Sequence, residues 1–118
     1  MSKILLYICF LAAMASGCSA LNLRGENGVV LQPSKFHEDC LKLVPGDVWS
    51  YSFKASQPVD FNIHFHEWGK ITYPVLKKNT SAEESKFYPD REEFYCLMWT
   101  NLQKNAVRIT YTYTTGKL

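Results

Sequence analysis

No stretch of this 118-residue chain is apolar for eighteen residues or more, so nothing in it reads as a membrane-spanning helix. It has no C-x-x-C, no G-x-S-x-G elbow and no H-E-x-x-H, which removes the usual frames for a dithiol redox centre, an esterase-type serine and a zincin. Charge of one sign is also lacking. Thirteen basic side chains stand against eleven acidic ones, and Lys77-Lys78 is matched by Glu83-Glu84. With no Lys/Arg stripe along any predicted element, nucleic-acid binding has little electrostatic footprint. No catalytic set emerges, and the chain is read as a non-enzyme.

What is present begins at the N-terminus. Lys3 precedes the twelve-residue apolar run Ile4–Ala15, too short for a stable anchor and right for the core of a signal peptide. The run ends in Ala15-Ser16-Gly17-Cys18, which resembles the lipobox of a bacterial lipoprotein, although Ala15 stands where Leu is usual. The resemblance implies cleavage after residue 17, acylation of Cys18 by diacylglyceryl and palmitate groups, and attachment to a membrane. Ser19 rather than Asp after the cysteine resembles an outer-membrane sorting signal, which places the protein on the periplasmic face of the outer membrane. Cleavage after Ala20 is the competing reading and would give a soluble periplasmic or secreted chain.

Cleavage before Cys18 leaves 101 residues, one domain's worth, with a formal net charge of +1. It also removes Cys9 and commits Cys18 to lipid, leaving Cys40 and Cys96. In an oxidising envelope these two are expected to pair, restricting the unfolded chain by roughly 4 kcal/mol. The alternatives are a redox pair, for which the spacing is wrong, and a Cys-ligated metal, which needs more ligands than two thiolates.

Residues 18–34 carry Gly25, Gly28 and Pro33 without sustained periodicity and read as a lipidated tether. Residues 35–118 read as the folded domain. Phe36–Leu43 is a weak strand closed by Pro45-Gly46-Asp47. In Val48–Phe53 the aromatics Trp49, Tyr51 and Phe53 share one face; in Val59–His66 the apolar face is Phe61, Ile63 and Phe65. Trp68-Gly69-Lys70 predicts a hairpin end leading into Ile71–Val75, where Pro74 marks an edge or a terminus. Lys77–Glu93 is polar, holds Pro89 and reads as a loop. Phe94–Trp99, apolar on both faces, predicts a central strand, and Ala106–Thr114 alternates with Val107, Ile109, Tyr111 and Tyr113 on one side. About six to eight short strands with no long helix predict an antiparallel β-sandwich.

Leu43-Val44-Pro45-Gly46-Asp47, then Trp49–Phe53 and Val59–Ile63, and at the end Phe94–Asn101 with Val107–Tyr111, resemble in order and spacing the GOLD domain. This is the β-sandwich module of p24 cargo-trafficking proteins and Sec14-like lipid-transfer proteins. The Cys40/Cys96 pair is similar to the disulfide of the p24 luminal domain. The chain departs from that pattern in having no C-terminal transmembrane helix, coiled coil or lipid-transfer domain. The resemblance therefore implies an interaction module for protein or membrane surfaces, with an envelope protein as the expected partner, and not the trafficking role.

One pair of side chains suggests chemistry. His64 and His66 project from the same face of one predicted strand, roughly 7 Å apart at their α-carbons. Three readings remain: ordinary polar residues of a half-buried strand, a polar contact to a protein or glycan, or a Zn or Cu site completed by His37 or Glu67. No cofactor is expected unless that last reading holds.

Overall fold

A computed structural model describes residues 22–118; the signal run, both cleavage positions and Cys18 lie outside the described residues. Six strands follow in chain order: β1 (Arg24–Leu31), β2 (Phe36–Leu43), β3 (Asp47–Glu67), β4 (Lys70–Phe87), β5 (Glu93–Thr100) and β6 (Val107–Lys117). Every pairing is antiparallel, and the sheet runs β1-β6-β3-β5-β2 with β4 on the other side of β3. The fold is all-β and sandwich-like.

One strand makes a single sheet into two layers. At roughly 3.3 Å per residue, the 21 residues of β3 would extend to about 70 Å. The longest dimension of the molecule is 47 Å, so β3 must bend. Its first part pairs β6 from Asp47 to Ala55, and its last part pairs β5 from Asp60 to His64. Between them, the register against β4 slips from Lys54↔Ala82 to Val59↔Thr80, so Ser56-Gln57-Pro58 forms the corner. Pro58 has no N–H to give a ladder, and the facing strand turns at Asn79, whose φ of 55° suits an Asn. The Asn79 amide donates to Asp60 Oδ1 at 3.1 Å and fixes the bend.

Alternation then places one row of β3 between the layers. Trp49, Tyr51 and Phe53 meet Phe61, Ile63 and Phe65 of the same strand across the fold, joined by Tyr95, Leu97 and Trp99 from β5 and Val107, Ile109 and Tyr111 from β6, all buried. The ring centroids of Trp99 and Tyr111 lie 4.3 Å apart, and those of Phe53 and Phe61 4.8 Å. Each such side chain contributes roughly 1.5–3 kcal/mol on burial.

Three expectations need correction. Residues 24–31 are no tether: β1 pairs β6 from Arg24↔Tyr113 to Leu31↔Val107 and buries Leu31. Gly25 suits this pairing because a Cβ there would stand 2.0 Å from the Tyr111 carbonyl oxygen. Lys77–Glu93 is no loop up to Phe87. It continues β4 as an edge strand paired only to β3, and an edge with one wet face needs few apolar residues; its lysines and glutamates also discourage further pairing. The strands are not uniformly short, since Val48–Phe53 and Val59–His66 are two parts of β3, and β4 spans 18 residues.

Asn101, fully buried after β5, pins the loops at one end. Its amide nitrogen donates to Leu31 O and to Asn105 O, both at 2.9 Å, while its Oδ1 accepts from the Gln103 amide at 2.7 Å. Its backbone exchanges hydrogen bonds with the β1–β2 turn through Ser34 and Lys35.

Candidate functional site

The outward face of the β2-β5-β3 layer gathers the chemistry. Register sets Cys40 opposite Cys96 and Cys96 opposite His64, a row across three neighbouring strands. The next row is Glu38, Met98, Asn62 and, on β4, Leu76. Directly paired residues share a face, so these side chains crowd together on the outside of the core. Cys40 and Cys96 form a disulfide with α-carbons 4.0 Å apart. Cys40 is exposed and Cys96 is buried.

His64 is only 3% exposed although it points away from the core. Its Nδ1 lies 2.8 Å from Asn62 Oδ1. That oxygen can only accept, so Nδ1 carries the proton, and in the neutral ring the Nε2 lone pair faces outward. Glu38 Oε2 stands 3.4 Å from Nε2. Burial pulls the His64 pKa below its ordinary value, the Glu38 carboxylate pulls it back up, and His66 adds to the lowering. In its neutral form the ring turns its Nε2 lone pair toward the Glu38 carboxylate oxygen. Both are acceptors.

His66 is exposed, with its ring 5.3 Å from that of His64 and nearly perpendicular to it; the Tyr73 ring lies 5.9 Å from His64. The two residues named as third ligands do not join them. His37 belongs to the opposite phase of β2 and points between the layers, its ring stacked 6.1 Å from Trp99. Glu67 is held by Arg91 at 2.6 Å, beneath a guanidinium that also contacts Glu93 at 2.9 Å and lies 5.1 Å from the Phe65 ring. Sequence reading missed Glu38 as a neighbour of His64. Its shared phase with Cys40 was visible, but the β2-β5-β3 order that brings it there was not.

His37 instead enters a polar cluster linking the layers. The Tyr111 hydroxyl donates to Asp39 Oδ2 at 2.7 Å and accepts from His37 Nε2 at 2.9 Å; the Tyr113 hydroxyl donates to Asp39 Oδ1 at 3.1 Å. Burial, followed by the hydrogen bond and charge of Asp39, pushes the Tyr111 hydroxyl far above its ordinary value. Burial and the same carboxylate push Tyr113 up to about 12.

Large apolar side chains surround the histidine row. Phe36, Phe94, Leu76, Tyr73 and Ile71 are exposed on β2, β5 and β4, and Trp68 is 96% exposed at the tip of the β3–β4 hairpin. Trp68 and Gly69 form a two-residue turn with φ of 51° and 77°, the both-positive pattern of a type I′ turn. A bulky residue seldom occupies that conformation, and Asn or Gly does so at less cost. The outward side of the other layer differs: Ser50, Ser52, Thr110, Thr112 and Thr114 give it a hydroxyl surface.

No protein-family model matches this chain, and no curated protein matches it. Among solved structures it is similar to a de novo designed double-stranded β-helix determined by solution NMR, with 19% identity, 77% of this chain and 99% of that chain covered, and a TM-score of 0.40. A likeness at that level bears on neither fold family nor function.

Proposed function

We propose that this protein is a non-enzymatic binding module of the cell envelope, GOLD-like in fold, held on the outer membrane through a lipidated Cys18 and docking another envelope protein on the outward face of its β2-β5-β3-β4 layer. The observation that carries this reading is the concentration of exposed apolar side chains on one sheet face, from Phe36 and Phe94 to Leu76 and Trp68, while the other outward face is hydroxylated. A strained and almost fully exposed tryptophan at the hairpin tip is costly to folding and is the kind of aromatic anchor that fills a partner's pocket. The order of motifs around Pro45-Gly46-Asp47 and the Cys40/Cys96 pair support the GOLD relationship.

Anchoring strengthens such a contact by confinement. Arg24, where β1 starts, is six positions from Cys18, a reach of about 20 Å at full extension, so the domain stays beside the bilayer and weak docking becomes effective. A photo-cross-linking residue placed at position 68 in the intact lipidated protein tests the reading, with position 112 on the hydroxyl face as the comparison. The expected result is one reproducible envelope protein joined from position 68 and absent from position 112. Equal labelling from both positions, or none from 68, overturns it.

A further inference from the structure

We propose that reduction of the Cys40–Cys96 disulfide converts the outward face into a Zn²⁺ site whose four ligands are the Cys40 and Cys96 thiolates, His64 Nε2 and a Glu38 carboxylate oxygen. This goes beyond the docking reading and does not depend on it. The row Cys40-Cys96-His64 is fixed by strand register, and one ligand atom each from Glu38, His64 and Cys96 already lies within 4.8 Å of the others. A cation between His64 Nε2 and the Glu38 carboxylate oxygen would take a lone pair from each. Zinc bound at about 2.0–2.2 Å to a nitrogen and an oxygen at a tetrahedral angle separates the two by about 3.4 Å, and His64 Nε2 and Glu38 Oε2 are 3.4 Å apart. The Nδ1–H donated to Asn62 Oδ1 is the outer hydrogen bond that orients a metal-binding imidazole.

With the disulfide closed, both sulfurs are committed to each other and only Glu38 and His64 remain, too few to hold zinc tightly. A dithiol reductant changes this. Its thiolate attacks the exposed Cys40 sulfur, breaking the S–S bond and releasing the Cys96 thiolate; its second thiolate then displaces Cys40 and closes the reductant's own disulfide. Two electrons pass to the protein, which gains two thiol protons. Both protons leave to solvent when Zn²⁺ binds the thiolates.

Calorimetric titration of the mature chain with Zn²⁺ decides the matter, comparing the oxidised protein with protein reduced anaerobically by a non-chelating phosphine. Reduced protein should bind one Zn²⁺ at least about 100-fold more tightly than oxidised protein, and Co²⁺ should give the absorption of thiolate-to-metal charge transfer only after reduction. In reduced protein, His64→Ala should weaken binding by about 10-fold or more, while His37→Ala and His66→Ala leave it unchanged. Should the reduced chain lose its near-ultraviolet circular dichroism, Zn²⁺ is expected to restore it in wild type and not in His64→Ala. Equal affinity in both redox states, no Co²⁺–thiolate band, indifference to His64→Ala, or an unfolded reduced chain that Zn²⁺ does not restore would each overturn the site.

Discussion

The Tyr111 hydroxyl donates to Asp39 Oδ2 at 2.7 Å, tying β6 of one layer to β2 of the other through a single carboxylate that also accepts from Tyr113. Ionising either phenol beside Asp39 places two negative charges together in a poorly solvated space. Both phenols therefore hold their protons more tightly when folded than when unfolded, where the usual value is about 10. Between that value and the folded one the native state binds more protons, so stability is complete below pH 10 and falls as pH rises above it. For Tyr113 the window runs from about 10 to about 12. Burial also raises Tyr51 and Tyr95, so alkaline titration followed by phenolate absorbance should show Tyr111 and Tyr113 among the late tyrosines, with Asp39→Asn bringing these two earlier and leaving the others in place. Tyrosines that titrate together near 10 in wild type would contradict this account.

The disulfide sits between directly opposed residues of β2 and β5, 56 positions apart in sequence. A loop of that length restricts the unfolded chain by about 4 kcal/mol. Replacing both cysteines with serine should lower the urea-unfolding free energy by about that amount without changing the strand content seen by far-ultraviolet circular dichroism. A loss below about 1 kcal/mol would show that β2 docks without help from the bridge.

Much of this fold was legible: apolar alternation marks both parts of β3 and β6, a run apolar on both faces marks β5, and β2 shows as a weak strand ending at Pro45-Gly46-Asp47. Two of the edge strands were not. β1 and the distal part of β4 are mostly polar, since an edge strand with one wet face needs little apolar surface, and pattern alone cannot separate such a strand from a loop. The site was half visible for a related reason. A two-residue spacing puts His64 and His66 on one side of a strand, but which residues flank them depends on strand order. Glu38 reaches His64 only because β5 intervenes between β2 and β3. His37 could not be assigned to a layer from sequence, and its phase on β2 sends it to Tyr111 instead.

Asn101 makes three side-chain hydrogen bonds in a fully buried position and joins the β1–β2 turn to the β5–β6 loop. Asn101→Ala leaves the Leu31 carbonyl and the Gln103 amide without these partners and opens a small void. The expected cost is about 2–4 kcal/mol. Asn101→Asp should cost a similar amount, because a carboxylate cannot donate to the Leu31 and Asn105 carbonyls. Chemical denaturation of both variants measures this, and a loss under about 0.5 kcal/mol in either would remove Asn101 from the account of the loops.

Lipid attachment makes a separate claim about Cys18. The wild-type protein should incorporate labelled palmitate and sediment with membranes, and Cys18→Ser should abolish the label and release the domain to the soluble fraction. A variant that stays unlabelled and membrane-bound would show that the folded domain holds the surface by itself. Unchanged labelling would remove Cys18 as the attachment point.

Trp68 offers a case in which stability and binding should move in opposite directions. Its φ of 51° places a bulky side chain in the left-handed region, and its indole, 96% exposed, recovers almost no burial energy in return. Asn occupies the same position of a type I′ turn with less strain, so Trp68→Asn should raise the unfolding free energy by about 0.5–1 kcal/mol. If the tryptophan is the anchor for docking, the same substitution should reduce envelope-protein capture by about tenfold or more, since aromatic anchors at an interface centre commonly carry 2 kcal/mol or more. Urea denaturation and quantitative cross-linking on the same preparations separate the two effects. A variant that is more stable and still captures its partner in full would move the docking surface away from the hairpin tip, whereas one that is less stable would show that the indole contributes packing its exposure does not reveal.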